Sequence, residues 1–494
     1  MSVFEPSNKN LVVMKFGGTS LGSADRIRQA AEIVRNSAKS SRVVVVVSAM
    51  AGVTDAILRV LHAAGAGASA EVAKECSELE AQHDRTIAQL FGPRGQKQLC
   101  AAVREPVGRL REVCRGLIQL RTLTPQVIDM ASSLGEEMSA RICSAYFQAS
   151  GIDAEYLDAA RLIVTDDRFG DANPDLEATR RKAEDALLPL LDAGRVPVVT
   201  GFRGATPAGQ LTTLGRGGSD CSATVIGAAI HADEVWIWTD VDGVLTADPR
   251  TCPQAATLPE ITFNEAVELS YYGAKVIHPR ATRPCMEAGI PVWIKNSFRP
   301  QVSGTKITTI VPFGRSPVRA VTAVPRAALV TLTTRPDVHF ADIFGRLFLR
   351  LAHEHIDVLF STQSSSENSF GLVLREEDAD TVVRVIKRLF RAELKHGVLN
   401  PIVVESELAV VAVLGQRMKG VVGILGRLFS AVARRGVSVI AVTQGASELN
   451  ICFAVPAAAA ASVVEAVHEE FLGSAAAAAP APVADRRVEG SLPA

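Results

Sequence analysis

The chain has 494 residues, of which 48% are hydrophobic and 21% are charged, and its 52 Lys and Arg nearly balance its 53 Asp and Glu. This composition is typical of packed α/β domains, and the length corresponds to about three of them. A net charge of -1 excludes a global basic field for nucleic acid or a membrane surface. The amino terminus lacks a signal-peptide pattern and no apolar run spans a bilayer, so we expect a cytoplasmic protein.

Helical and strand patterns alternate from the amino terminus to about residue 300. Strands are predicted at residues 11–15, 43–48, 196–201, 234–239 and 291–295. Helices between several of them predict an α/β fold with a mostly parallel sheet covered on both faces, in which ligands bind at the carboxyl ends of strands. Residues 55–130 instead have a charged helical pattern, which predicts a helical insertion without chemistry of its own.

The first chemical cluster is VVMKFGGTS at residues 12–20. A strand ending in Lys15 directs its ammonium group to one point, while Gly17 and Gly18 allow backbone N–H groups to approach an oxyanion closely. A helix predicted for residues 23–37 brings its positive N-terminus to the same place. Strand, Gly-Gly and helix can also form only a tight turn, but the lysine favours a phosphate site.

The sequence does not support a dinucleotide-binding motif, a Walker P-loop or a cysteine-based metal site. Residues 65–70 fit the G-x-G-x-x-A form of a dinucleotide fingerprint, but they follow a helical segment where the motif requires a strand. The chain has no Walker P-loop match either. Its eight cysteines are scattered without C-x-x-C spacing, so we expect reduced, mostly buried thiols and no metal held by the protein.

The second cluster, TTLGRGGSDCSA at residues 212–223, opens an apolar helix. Its glycines make the backbone permissive, and Arg216 offers a planar fork for a carboxylate or a phosphate. Asp220 falls at the helix start, where Ser219 or Asp220 could act only as an N-cap. An arginine between glycines is harder to explain by capping.

Two further clusters follow. Residues 238–250 begin at a predicted strand end and contain Thr239, Asp240 and Arg250. Asp-Gly after a strand is usually a turn, yet carboxylates and an arginine at a strand's end also suit a nucleotide. In residues 272–279, Lys275 is a second candidate phosphate cation. Two lysines, an arginine in a glycine loop and several carboxylates describe a phosphoryl-transfer site without a P-loop.

Six motifs carry a family resemblance: KFGGTS (15–20), VVSAMAGVTD (46–55), LGEEMSA (134–140), LGRGGSD (214–220), WTDVDGV (238–244) and GAKVIHP (273–279). In this order they resemble the aspartate kinases of the amino-acid kinase superfamily. Sibling kinases for acetylglutamate, carbamate, glutamate or UMP share the sheet but not the pair KFGGTS and GRGGSD. The resemblance implies ATP-dependent phosphorylation of the β-carboxylate of L-aspartate to 4-phospho-L-aspartate, the entry to lysine, methionine and threonine synthesis.

The resemblance also implies roles for single residues. Lys15 would stabilise the transferring phosphoryl group, and Asp220 would orient Lys15. Glu136 would hold the α-amino group of aspartate and Arg216 its α-carboxylate. Ser48 and Thr54 would line the same pocket. The ATP side would comprise Lys15, Gly17, Gly18, Thr19, Ser20, Thr239, Asp240, Arg250 and Lys275. Mg²⁺ would be held mainly by phosphates and water. Many relatives have Tyr where this chain has Leu245, so an aromatic contact to the nucleotide is lost.

An internal repeat follows residue 325. Residues 355–374 align with residues 436–455, and both copies carry T-Q-x-x-S-E, with Gln363 and Gln444. Each copy follows a predicted amphipathic helix, so both read as ferredoxin-like βαββαβ units. The tandem resembles paired ACT domains, which sense amino acids, although such units also serve only as dimer contacts.

The two glutamines are candidate allosteric residues, since an amide both donates and accepts hydrogen bonds. The resemblance favours threonine as the effector, with lysine second, and a homo-oligomer joined through these sheets.

These patterns predict an amino-acid kinase domain at residues 11–312, ACT-like domains at 325–404 and 406–472, and a disordered low-complexity tail at 473–494. No dinucleotide fingerprint follows the repeat, so we expect a monofunctional enzyme. Two alternatives are another amino-acid kinase and a catalytically silent amino-acid sensor. A silent sensor would be expected to lose Lys15, Arg216 or Asp220, and all three are present.

Overall fold

The computed structural model describes residues 9–92, 97–274, 277–312, 316–336, 338, 340–364, 368–445 and 448–473. Lys275 and the predicted tail from residue 474 onward lie outside the described residues. As far as it is described, the chain forms two compact units. The first draws on residues 1–244, 257–267 and 276–311, and the second on residues 245–256, 268–275 and 312–494. Two short segments of the predicted kinase domain therefore group with the second unit.

The first unit alternates strands and helices. Its strands are β1 (Leu11–Phe16), β2 (Arg42–Val47), β3 (Ala154–Leu157), β4 (Val196–Thr200), β5 (Arg203–Ala205), β6 (Leu211–Thr213), β7 (Glu234–Thr239), β8 (Glu260–Thr262), β9 (Val292–Asn296) and β10 (Thr305–Thr308). Its helices are α1 (Ala24–Ala38), α2 (Val53–Ala66), α3 (Ser69–Phe91), α4 (Lys97–Leu120), α5 (Pro125–Ser132), α6 (Leu134–Ala149), α7 (Leu176–Asp192), α8 (Gly218–Ala229), α9 (Phe263–Tyr271), which continues into the second unit, and α10 (Pro279–Ala288).

The main sheet confirms the predicted parallel arrangement. Its strand order is β3-β4-β2-β1-β7-β9-β10-β8. The first six strands in this order, from β3 to β9, run parallel, whereas β10 and its parallel neighbour β8 run in the opposite direction. The buried β-branched runs of β1 and β2 suit strands covered on both faces. The predicted helical insertion forms α2 to α5, which pack in the large core on one side.

Side chains alternate between the two faces of β1, so neighbouring residues pack against different helices. Met14 and Phe16 belong to the core that includes α1 and α6. Val13 lies on the opposite face, where a Cβ at Gly227 of α8 would be 3.8 Å from it. Because side chains alternate along a strand, Lys15 shares the face of Val13 and points to the side of α8.

Capping fixes where the first helix begins. The Ser23 hydroxyl accepts a hydrogen bond from the backbone N–H of Arg26 and forms the N-cap of α1. Buried Ile27, Ala30 and Val34 recur at helical spacing and face the sheet. The structure thus confirms the helix predicted for residues 23–37 within one residue.

The second unit contains a six-stranded antiparallel sheet. Its strands are β11 (Val318–Thr333), β12 (Val358–Ser364), β13 (Ser369–Arg375), β14 (Val403–Gly415), β15 (Ala441–Gln444) and β16 (Asn450–Pro456), in the order β12-β13-β11-β14-β16-β15. Its helices are α11 (Phe340–His353), α12 (Glu376–Leu389), α13 (Arg391–Lys395), α14 (Ile424–Arg434) and α15 (Ala460–Leu472).

The long strands β11 and β14 are shared by both repeats. The second half of β11 pairs with β13 and with the start of β14, and its side chains pack in the core of α11 and α12. The first half pairs with the end of β14 and packs in the core of α14 and α15. The first repeat therefore has the predicted βαββαβ order. In the second repeat, residues 318–324 supply the fourth strand, which the predicted boundary at 325 leaves outside it.

A carboxylate marks the point where the two strands pass from one repeat to the other. Arg326 and Glu407 both have positive φ, 59° and 57°, beside a register shift in the ladder. The Glu376 carboxylate accepts hydrogen bonds from the Arg326 guanidinium and from the backbone N–H of Glu407, both at 3.2 Å. These bonds help to offset the cost of a left-handed backbone at two residues that are not glycine.

All eight cysteines are free thiols, and seven of them are buried, as predicted. Burial raises the pKa of several of these thiols, for example that of Cys143 to about 12, so they remain protonated at neutral pH. Within the described part of the chain, no helix is both long and apolar enough to cross a membrane.

The core of the second repeat gives a stability prediction. Phe453 on β16 is fully buried and meets the ring of Phe429 edge-on at 5.6 Å. We expect Phe453→Ala to lower the free energy of unfolding of this unit by about 3–5 kcal/mol, since it removes aromatic surface and leaves a cavity. Urea denaturation monitored by circular dichroism measures the change.

Val442 is the matched control, because it lies opposite Phe453 on β15 but is 45% exposed. Val442→Ala should change stability by less than about 1 kcal/mol. Equal losses in the two variants would contradict the assignment of Phe453 to the core.

Candidate functional site

The carboxyl ends of the central strands bring the predicted clusters together. Lys15 on β1 pairs in register with Val46 of β2 and Ile237 of β7. Beyond the strand ends, the Ser48 N–H donates to the Phe16 carbonyl at 3.1 Å, and the Gly17 N–H donates to the Trp238 carbonyl at 3.1 Å. The ends of β1, β2 and β7 therefore meet at one edge, as parallel strands do.

Lys15 forms an ion pair with Asp220. The Nζ and Oδ1 atoms are 2.5 Å apart, and the two side chains are 11% and 18% exposed. Asp220 lies in the first turn of α8, where a carboxylate is stabilised by the helix dipole. The pair holds the Lys15 ammonium group at the carboxyl end of β1. The remaining N–H donors of the ammonium group are left for another anion.

The two glycines of KFGGTS let the backbone pass close to its neighbours. A Cβ at Gly18 would lie 3.0 Å from the carbonyl oxygen of Ala49, and a Cβ at Gly17 would lie 3.5 Å from Lys15 Nζ. Side chains would therefore crowd both the next strand end and the ammonium group, which explains the glycines here.

The hydroxyls of Thr19 and Ser20 have different surroundings. Thr19 is exposed, whereas Ser20 is 1% exposed. The Ser20 hydroxyl contacts Ser297 Oγ at 2.7 Å and the Trp238 carbonyl at 3.3 Å. Ser20 thus joins the ends of β7 and β9, and of the two predicted hydroxyls only that of Thr19 is presented to solvent.

Glu136 is a buried carboxylate in the first turn of α6. The backbone N–H of Ala49 donates to it, which places it beside the half-buried Ser48. Burial raises the pKa of Glu136 to about 7, against the hydrogen bonds and the charges of Arg203 and Lys15. Its Oε2 atom is buried without a hydrogen-bond partner among the described residues. Such an oxygen is suited to a donor from a ligand. Thr54, also half-buried, lies in the first turn of α2.

Arg216 is exposed between two glycines with positive φ, Gly215 at 71° and Gly217 at 72°. Within the described part of the chain its guanidinium has no ion pair or hydrogen bond. A planar, unpaired guanidinium is ready to take a carboxylate in bidentate fashion. The left-handed backbone on both sides fixes the direction in which the side chain leaves the turn.

His278 is a residue of this site that the sequence reasoning missed. A Cβ at Gly217 would lie 2.7 Å from the Cβ of His278, and the His278 Nδ1 atom is buried without a partner among the described residues. Burial and the nearby charge of Arg216 lower the pKa of His278, and Asp220 opposes them. Its position in GAKVIHP, three residues after Lys275, was the available signal.

A buried ion network supports the helix that carries Glu136. Glu137 is 4% exposed and binds the guanidinium groups of Arg109 at 2.7 Å, Arg141 at 2.5 Å and Arg203 at 3.1 Å. Although burial works to raise the pKa of Glu137, these three arginines outweigh it and lower the pKa. The sequence did not predict this network, because its three arginines are spread over 95 positions.

The predicted nucleotide residues are only partly brought together. Thr239 ends β7, and its hydroxyl donates to the exposed Asp240 at 3.3 Å. Arg250 belongs to the second unit and is exposed, and its guanidinium pairs with its neighbour Asp248 at 2.6 Å. Leu245 belongs to the same segment of the second unit. Lys275 lies outside the described residues, so its predicted contact with phosphate stays a prediction.

The two candidate allosteric residues occupy matching places in the repeats. Gln363 lies on β12 opposite Phe370, and Gln444 lies on β15 opposite Ile451. Both side chains are exposed, and β12 and β15 are the first and last strands in the hydrogen-bonded order of the sheet. Both amides are therefore available to a ligand or a partner.

Among the residues that the structure describes, no group of three or more His, Cys, Asp or Glu side chains is arranged to hold a metal ion. The donor set at the strand ends is instead cationic and rich in backbone N–H groups. It suits a phosphate, which can bring its own divalent cation.

Comparison with known proteins agrees with this geometry. Residues 10–296 match the Amino acid kinase family, and residues 411–471 match the ACT domain. Aspartokinase 1 of Arabidopsis thaliana chloroplasts is 33% identical over 94% of this chain and 80% of that protein. The chain spans about half the length of the bifunctional aspartokinase/homoserine dehydrogenases that it matches, 56% of the Haemophilus influenzae protein and 51% of an Arabidopsis thaliana protein.

Two solved structures share the fold. E. coli aspartokinase III in complex with aspartate and ADP has a TM-score of 0.77 and 30% identity, covering 93% of this chain and 99% of that one. The same enzyme in complex with lysine and aspartate has a TM-score of 0.75 and 32% identity, covering 94% and 99%. Family match, sequence identity and fold agree, and the chain therefore belongs to the aspartokinases of the amino acid kinase family.

Proposed function

We propose that this chain phosphorylates the β-carboxylate of L-aspartate with ATP to give 4-phospho-L-aspartate and ADP, the first step of lysine, methionine and threonine synthesis. The observation that carries the proposal is the Lys15–Asp220 pair at the strand ends, in the same unit as the unpartnered Glu136 oxygen and the unpaired Arg216. The aspartate and ADP bound by E. coli aspartokinase III support it. We place the reaction in the cytoplasm.

Two groups of the site fit the invariant part of an amino acid. The buried Glu136 oxygen would accept a hydrogen bond from the α-ammonium group, and the Arg216 fork would bind the α-carboxylate. Ser48 and Thr54 would line the pocket around the substrate. This arrangement leaves the side-chain carboxylate free to face Lys15.

The transfer itself needs little covalent help from the protein. An oxygen of the aspartate β-carboxylate attacks the γ-phosphorus, and the bond to the β–γ bridging oxygen breaks, so that ADP leaves with that electron pair. Because the attacking carboxylate is already ionised, no general base is required. Lys15 and the N–H group of Gly18 would stabilise charge on the phosphoryl oxygens, while Gly17, whose N–H donates to the Trp238 carbonyl, keeps the space beside the ammonium open. Mg²⁺ would be held by ATP phosphates and water.

Lys15→Ala tests the phosphoryl assignment. We expect turnover to fall on the order of a hundredfold or more, because a preorganised charge is removed from the transition state. An ATP-dependent hydroxamate assay with L-aspartate measures it. The exposed Lys39, on the carboxyl-terminal side of α1, provides the control Lys39→Ala.

Two outcomes would oppose the proposal. Near-wild-type turnover in a folded Lys15→Ala protein would remove Lys15 from the reaction. Turnover of glutamate or an acylated amino acid but not of aspartate would establish another amino-acid kinase, and no turnover with any acceptor would favour the silent sensor.

The raised pKa of Glu136 predicts that kcat/KM for aspartate depends on pH. Below its pKa of about 7 the carboxyl group is neutral and cannot pair with the α-ammonium of aspartate. We therefore expect kcat/KM for aspartate to fall by about tenfold per pH unit below that value, since this constant reports ionisations of the free enzyme.

Glu136→Gln is the check. Its kcat/KM should be low and should lack the inflection near pH 7, with any remaining decrease at lower pH assigned to His278, whose pKa is lowered. An unchanged inflection in this variant would assign the titration to another group.

We further propose that the repeats regulate the enzyme by binding an end-product amino acid, with threonine favoured and lysine second, and that the active form is a homo-oligomer joined through these sheets. The exposed Gln363 and Gln444 amides support a ligand that carries ammonium, carboxylate and hydroxyl groups together. The lysine complex of E. coli aspartokinase III supports regulation of this kind and keeps lysine as the alternative. The effector would act by its higher affinity for a less active state.

Titration of threonine and of lysine against wild type, Gln363→Ala and Gln444→Ala tests this. We expect threonine to inhibit at millimolar concentration and Gln363→Ala to weaken the inhibition on the order of tenfold. Inhibition by lysine alone, or threonine inhibition unchanged in both variants, would contradict the assignment. If no amino acid inhibits, the repeats serve assembly only.

A further inference from the structure

Asp129 is a buried carboxylate within the helical insertion, to which the sequence assigned no chemistry. It lies on α5 and is 1% exposed. Its Oδ2 atom accepts the backbone N–H groups of Gly170 and Thr213, each at 2.9 Å, and its Oδ1 atom accepts the Thr213 hydroxyl at 2.7 Å. No ion pair reaches it from the described residues.

The three donors require an all-acceptor side chain. Each is an N–H or O–H group, and both oxygens of Asp129 are used. An amide in this place would offer one acceptor oxygen and would turn an NH₂ group toward donors. The chain therefore keeps an ionisable group in a buried position, where its desolvation is costly, to hold these two backbone segments.

Both segments surround the turn that carries Arg216. Thr213 ends β6, three residues before Arg216, and its carbonyl accepts the Ala172 N–H at 2.9 Å. A Cβ at Gly215 would clash with an Asp171 carboxylate oxygen, so the loop after Gly170 packs directly against the turn.

The same loop is held from its other side by α10. The Arg280 guanidinium pairs with the Asp171 carboxylate and donates to the Ala172 carbonyl at 3.2 Å. Asp129 therefore fixes one side of a short three-part assembly: the end of β6, the loop after Gly170 and the turn of Arg216.

We propose that Asp129 is a positioning residue for recognition of the substrate α-carboxylate. By fixing Thr213 and Gly170, it holds the backbone from which Arg216 extends, and so sets where the guanidinium fork meets its carboxylate. The proposal rests on the proposed function of Arg216. Asp129 itself does not touch the substrate.

Asp129→Asn is the central variant. We expect the KM for aspartate to rise on the order of tenfold, while the KM for ATP stays within about twofold, because misplacing a bidentate clamp weakens only the carboxylate it holds. A purely structural role would lower the stability, and with it the active fraction, without this split between the two constants. Thr213→Val, which removes one of the three donors, should give a smaller change of the same kind.

Asp166 provides the matched control. Its carboxylate accepts the N–H groups of Arg168 and Asn173 in the same loop but makes no hydrogen bond to β6. Asp166→Asn should leave the KM for aspartate within about twofold of wild type, since the hydrogen bonds of this carboxylate stay within residues 166–173.

A double variant separates action through Arg216 from other effects. In an Arg216→Ala background, Asp129→Asn should no longer change the binding of aspartate measured by calorimetry, since the clamp is already gone. A further loss in that background, or an unchanged KM for aspartate in Asp129→Asn itself, would overturn the inference. If Arg216→Ala alone leaves aspartate binding unchanged, the proposed clamp fails instead.

Discussion

The Lys15–Asp220 ion pair links the middle strand of the sheet to the helix that covers it, and the geometry of the site depends on it. The pair exists because alternation along β1 turns Lys15 toward α8 and because α8 begins level with the end of that strand. A shift of one residue in β1 would turn the lysine into the apolar core of α1 and α6. The buried residues of β1 fix the register of the strand, and this register determines the direction in which the Lys15 side chain points.

Two neighbouring glutamates on α6 show how the fold sets charge by surroundings. Glu137 is surrounded by arginines, its pKa is lowered, and its contribution to stability is present above the ordinary glutamate pKa and lost as pH falls through the lowered value. For Glu136 the dependence of stability on pH has the opposite sign, because its pKa is raised to about 7. Folding takes up a proton there, so stability falls as pH rises from 4.5 toward 7. A bound ammonium group would offset that cost, and binding at neutral pH would release the proton.

The sequence was sufficient for features that depend on local pattern. Apolar and β-branched runs predicted β1, β2, β4, β7 and β9, and the glycine clusters marked the turns beside Lys15 and Arg216. Features that depend on distant contacts were not accessible. The role of Asp129 could not be predicted from the helical insertion alone, because its hydrogen-bond partners lie 41 and 84 positions away in the chain. The contact between the Ser20 and Ser297 hydroxyls was equally hidden, because the two residues lie 277 positions apart. The 16-residue pattern of β11 could not show that its two halves serve different cores.

That division of β11 determines how the two repeats are connected along the chain. The second repeat begins with residues 318–324, is interrupted by the whole first repeat, and resumes in β14. In chain order the first repeat is therefore a cassette that lies inside the second, and Ala327 pairs with Leu408, so the two ends of the cassette are adjacent. Domain insertions are tolerated where termini meet in this way. A gene fragment that starts at residue 406 would lack a core strand, whereas replacing the cassette by a short turn would restore an uninterrupted, circularly permuted unit.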